Sequence, residues 1–188
     1  KGYDYWALGH VHHRETLSEQ PVIAFPGNLQ GRHIRETGAK GCLLVTVDDN
    51  RSVQVDFRAL DVLRWERLVI DVSGAADVDS VLDRIKKGLE HQHGQAAGRP
   101  LAVRIELEGA TDAHRSLLAQ KHHWANEIRS LAIDVGKGDI WVEKVKFRTS
   151  NPTLLKGSQP DLDGALGELH SLFTAARSET GTLNGLSF

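Results

Sequence analysis

The segment Tyr3-Asp4-Tyr5-Trp6-Ala7-Leu8-Gly9-His10-Val11-His12 decides how the rest of the chain is read. Residues 3–8 are aromatic and apolar and predict a short buried strand, with Gly9 marking the tight turn that ends it. Alternate side chains share a face in extended backbone, so His10 and His12 are expected on one side, Val11 and His13 on the other. Two imidazoles converging from a strand end can grip one metal ion or two adjacent ones. Gly9 would let the backbone approach such a site closely. A histidine-rich surface loop accounts for the same residues, and an isolated His-x-His pair does not choose between the two.

Working outward, residues 22–25 form a second short apolar run, stopped by Pro26-Gly27. Leu43, Val45 and Val47 alternate in a third run and Val53, Val55 and Phe57 in a fourth. Asp48-Asp49-Asn50 joins those two with hairpin chemistry. The rhythm changes after Leu60. Leu68, Ile70 and Val72 predict a strand, and Val78, Val81, Leu82, Ile85 and Leu89 recur at helical spacing behind a capping Asp77. Leu101, Val103, Ile105 and Leu107 give the cleanest strand alternation. Thr111-Asp112 opens a second helix carrying Leu117, Leu118, Trp124, Ile128 and Leu131, and residues 139–148 read as a further strand. The order from 65 to 148, strand-helix-strand-helix-strand, predicts an α/β unit. Residues 149–160 read as a linker, and 161–177 as a third helix with Leu162, Leu166, Leu169, Leu172 and Phe173 on its stripe.

Composition bounds the function. Among 188 residues, 40% are hydrophobic and 26% charged, which suits a globular chain with a core. No apolar run approaches the roughly 18 residues of a membrane span. The single cysteine, Cys42, excludes an intrachain disulfide framework and a Cys-rich zinc module, and suits a reducing, cytoplasmic setting. With 23 basic and 25 acidic residues there is no global field for nucleic acid, so any DNA contact must come from a local patch. The chain has no Met and begins in mid-pattern, which leads us to expect the C-terminal piece of a longer protein.

The stretch from Asp4 to His12 resembles the last motif of calcineurin-like metallophosphoesterases, where a strand delivers Gly-His-x-His to a two-metal centre. Ala24-Phe25-Pro26-Gly27-Asn28, then Arg32, Glu36 and Lys40-Gly41 before a strand, is similar to the DNA-repair exonuclease branch, SbcD-type and YhaO-like. The metallo-β-lactamase pattern fits worse, since Arg14 and Glu15 stand where it needs Asp and His. An amidohydrolase barrel of roughly 250 residues does not fit the remaining chain.

The resemblance implies an α+β chain. Residues 1–60 would be the C-terminal strands of a phosphoesterase β-sandwich and 61–150 an α/β capping domain. Residues 151–188 would be a linker, a helix and a tail. It implies metal ligation by His10 and His12 and two divalent ions, typically manganese, about 3.5–4 Å apart. The parent would be a DNA exonuclease or endonuclease in repair, a homodimer working with an SMC-like ATPase. The family's Asp-x-His, Gly-Asp, Gly-Asn-His and further His motifs have no counterpart here. No catalytic residue is therefore expected in this chain, and by itself it is expected to be inactive.

Arg32 and Arg35 are candidates for gripping DNA phosphates, as are Lys144 and Lys146 along one strand face; polar loop geometry and a solvated face are the plain alternatives. Leu162, Leu166, Leu169 and Phe173 are candidate contacts to the ATPase, or else close this chain's own core. Two further functions stay open: a DNA- or ATPase-binding module without catalysis, and a phosphoesterase with a nucleotide or protein substrate.

Overall fold

The computed structural model describes residues 2–152. The expected helix over 161–177, with Leu162, Leu166, Leu169 and Phe173, lies outside them. The described chain is mixed α+β, with eight strands in three sheets and three helices.

Two small sheets come first. β1 (Tyr5–Ala7) pairs parallel with β3 (Val22–Phe25), and β2 (Glu15–Glu19) pairs antiparallel with β3 on its other side. β4 (Gly41–Val47) and β5 (Val53–Ala59) form a hairpin. Its turn is built as the Asp/Asn chemistry requires: the Asp48 carboxylate accepts from the backbone N–H groups of Asn50 at 3.0 Å and Ser52 at 2.7 Å.

The second half is a three-stranded parallel sheet in the order β6-β7-β8, with β6 Arg64–Asp71, β7 Leu101–Ala110 and β8 Ile140–Ser150. α1 (Val78–Gln95) connects β6 to β7. α2 (His114–Ala119) and α3 (Lys121–Gly136) connect β7 to β8. Parallel neighbours need such crossovers because a tight turn cannot reverse the chain twice. The core forms where the helices meet one sheet face. Val81, Ile85 and Leu89 of α1 and Ile128 and Ala132 of α3 pack on Leu68, Ile70, Val103, Ile105 and Leu107. Asp77 caps α1 as expected, its carboxylate accepting from Ser80 N–H at 2.8 Å.

Two expectations need correction, and one strand went unannounced. The helix opening at Thr111-Asp112 is two helices, broken at Gln120 (φ −128°, ψ 42°). The break frees the Ser116 carbonyl, and the Trp124 indole N–H donates to it at 3.1 Å, so the tryptophan of the leucine stripe stabilises the kink. β2 has no apolar alternation to announce it, because Glu15-Thr16-Leu17-Ser18-Glu19 is almost entirely exposed and shifts register between Thr16 and Ser18. The strand before Gly9 is short and not buried: Trp6 is 47% exposed, and Tyr3 stacks edge-on against it with ring centroids 5.2 Å apart.

Among the described residues no helix is long and apolar enough to cross a membrane.

Candidate metal-binding site

His10 and His12 do not continue β1. They lie in the irregular loop between β1 and β2, and His10 itself takes the left-handed conformation, with φ 81°. Period-two alternation therefore does not orient the pair, and the sharp turn falls on His10 and not on Gly9. A histidine held there stores strain, a feature that gathers at functional sites. Both imidazoles belong to exposed residues.

What fixes His12 is Glu36. The His12 Nδ1 atom lies 2.7 Å from Glu36 Oε1, across 24 positions of sequence. The Glu36 side chain is only 8% exposed and that of His12 is 51% exposed, so a buried carboxylate grips the inner edge of a half-exposed ring. The other Glu36 oxygen accepts from the Arg32 backbone N–H at 2.9 Å and from Asn28 Nδ2 at 3.0 Å. His33 Nε2 stands 3.8 Å from Oε1. The Arg32 N–H and the His12 bond pull the Glu36 carboxyl down to about 2 against the opposing effect of burial, with His33 and Asn28 adding to the pull. Glu36 is thus an ionised, acceptor-only group.

Two glycines allow this wrap. At Gly31 a β-carbon would stand 2.7 Å from the Glu36 carbonyl oxygen, too close for any other residue. Gly27 has φ 79° and lies so near the histidine loop that a β-carbon would meet the His12 carbonyl oxygen and Arg14 N at 3.0 Å. Asn28 N–H then donates to that His12 carbonyl at 3.3 Å. The loop is tied to the second half as well. The Gln30 side chain bonds the Val62 and Leu63 backbone, and Trp65 Nε1 donates to the Gly31 carbonyl at 3.1 Å.

Among the described residues, no group of three or more His, Cys, Asp and Glu side chains is placed to hold an ion. The His10–His12 loop fits a metal as a contributor of imidazole nitrogen, and it does not amount to a complete centre. Glu36 quoted within a motif was visible in the sequence; that its partner is His12 was not, since the link joins two loops.

The candidate phosphate-binding residues separate by what already neutralises them. Arg32 and Arg35 are exposed beside Glu36, and their guanidinium groups have no acidic partner among the described residues. Lys146 instead donates to the buried Glu106 at 3.0 Å, so its charge is engaged within the sheet. Lys144 is exposed on the same strand. Arg148 Nη1 stands 3.3 Å from the second Glu106 oxygen, which lacks an aligned hydrogen bond. Lys146 holds the Glu106 carboxyl below its ordinary range, with Arg148 and Arg67 helping and burial opposing. A lowered carboxyl stabilises the fold at every pH above its unfolded value and loses that contribution as the pH falls through its folded value. Urea unfolding of the wild type and of Glu106→Gln should therefore diverge above about pH 5 and converge on acidification. A gap that does not change with pH contradicts the assignment.

Comparison with known proteins gives two similarities. The family model for the middle domain of the metallophosphoesterase YhaO matches residues 65–150. The chain is also 43% identical over 110 residues to a Bacillus subtilis (strain 168) protein described as an uncharacterized metallophosphoesterase YhaO, an alignment covering 57% of this chain and 26% of that protein. The chain thus spans about a quarter of the length of the curated relative it matches. Both similarities support a metallophosphoesterase family.

Proposed function

We propose that this chain is part of a metal-dependent DNA nuclease, of the SbcD-type and YhaO-like branch, that hydrolyses phosphodiester bonds at a two-metal site. In this reading residues 1–60 are the closing strands of a phosphoesterase sandwich, residues 61–150 a cap beside its cleft, and manganese the natural ion. The carrying observation is the half-exposed His12 ring, seated on the buried Glu36 carboxylate next to the uncommitted cations Arg32 and Arg35. Bound divalent ions would supply an activated water and neutralise charge developing on the phosphodiester. The chain's own part is to hold two imidazoles toward that centre and to grip backbone phosphate with the two arginines.

The reading as part of a larger sandwich has its own support. Trp6, Leu17, Leu44, Val47 and Leu60 are all exposed large apolar side chains on or beside the two small sheets. An open cleft of about 530 Å³ lies between those sheets, with Leu43, Val55 and Phe57 on the hairpin side and Arg14, Glu19 and Gln20 facing them. A neighbouring layer of a larger sandwich would cover such side chains. A homodimeric, cytoplasmic parent working with an SMC-like ATPase completes the proposal; the contacts assigned to that partner lie beyond residue 152.

The test is a manganese-dependent digestion of linear duplex DNA by the full-length protein. Arg32→Ala with Arg35→Ala should weaken DNA binding and lower the salt slope by about two phosphate contacts. Lys146→Ala should leave that slope unchanged. Hydrolysis confined to nucleotide monoesters or phosphoproteins would move the substrate away from DNA.

A further inference from the structure

We propose that Glu36 is a positioning residue: its carboxylate holds His12 as the Nδ1–H tautomer and so leaves Nε2 as the atom that faces a metal ion. The inference rests on the metal-site reading above and adds which nitrogen coordinates and what chooses it. The geometry carries it in three steps.

First, Glu36 Oε1 lies 2.7 Å from Nδ1, so one of the two atoms must supply the proton. Second, Oε2 receives the Arg32 N–H and the Asn28 amide, two donors that favour the ionised carboxylate, and an ionised carboxylate offers only acceptors to Nδ1. The proton therefore sits on Nδ1, which is opposite to the Nε2–H form that a free neutral imidazole prefers. Third, Nε2 has no hydrogen bond among the described residues, on a ring whose side chain is 51% exposed. A carboxylate behind a histidine fixes its tautomer and orientation and makes the far nitrogen a better donor to a metal.

The isosteric substitution Glu36→Gln makes a sharp test. The Arg32 N–H and Asn28 amide donors require an oxygen at the Oε2 position, so the new amide nitrogen falls at the Oε1 position, facing His12. It must donate to Nδ1, and the proton moves to Nε2. Nitrogen-15 NMR of the imidazoles in the 188-residue chain, without metal, should show His12 as Nδ1–H in the wild type and as Nε2–H in Glu36→Gln. Glu36→Ala should relax to the Nε2–H preference of free imidazole. Unchanged resonances from the β6-β7-β8 core would show that the variants fold. An Nε2–H wild type, or a tautomer that neither substitution alters, overturns the proposal.

Manganese titration of the full-length protein separates the two levels of the argument. Glu36→Gln should weaken manganese binding about 10–100-fold. If His12→Ala weakens binding and Glu36→Gln does not, positioning by Glu36 is refuted while the ligand assignment stands. If His12→Ala changes nothing, the metal-site reading fails, whatever the tautomer.

Discussion

Replacing Asp61 by alanine is expected to destabilise the fold by about 3–5 kcal/mol, the cost of stranding buried charge after one partner is removed. The Asp61 carboxylate is fully buried. Arg64 Nε bonds it at 2.9 Å, and Arg99 Nε lies 3.2 Å away. Arg64 and Arg99 are themselves only 11% and 24% exposed, so neither can turn fully to water once the carboxylate is gone. Arg99 also donates to the Asp61 carbonyl at 2.7 Å and the Ala59 carbonyl at 3.1 Å, and the Asp61 N–H donates to the Lys40 carbonyl at 3.1 Å. One carboxylate therefore joins the end of β5, the start of β6 and the turn after α1. Urea midpoints with an unchanged slope give the measurement. Asp61→Asn, which keeps the volume and loses the charge, should still cost a large share; a loss below about 1 kcal/mol for both contradicts the clamp.

Ile105→Ala should cost about 2–5 kcal/mol by a different route. Ile105 is at the centre of the central strand, with no exposed surface, between Leu68 of β6 and Val145 of β8 in register. The helices cover that face, so the lost methyl groups leave a void that a closely packed core cannot collapse to fill. Leu44→Ala in the hairpin provides the contrast, because Leu44 is 48% exposed and its truncation should cost far less in this chain. Equal losses at the two positions, measured by urea unfolding, would contradict the placement of the core.

The sequence announced the elements that bury one face and hid those that do not. Leu101, Val103, Ile105 and Leu107 alternate because helices cover one side of β7, and that side is where the core lies. The first helix was legible from its stripe and from Asp77. β2 was illegible because its stability comes from pairing with β3 and not from apolar periodicity. The kink at Gln120 was hidden because the leucine stripe runs on across it, while the indole of Trp124 makes up for the lost backbone bond.

At the site, residue types were readable and their relations were not. His10 and His12 stood out, yet the left-handed turn at His10 breaks the alternation that was to align them. Glu36 appeared only as one letter of a motif. Its role as the seat of His12 depends on two loops meeting across 24 residues, which no local pattern encodes. The setting of the basic row on β8 was hidden for a related reason. Its alternation is real, but the adjacent strand brings Glu106 against Lys146, and a neighbour's charge does not show in a strand's own sequence.

The most direct measurement is manganese binding by the full-length protein, by calorimetry, for the wild type and for His10→Ala and His12→Ala. Tight wild-type binding, weakened by at least one order of magnitude in each variant with folding intact, is the predicted result. Affinity that stays the same in both variants would show that neither ring reaches a metal, and the phosphodiesterase reading of this loop would be wrong.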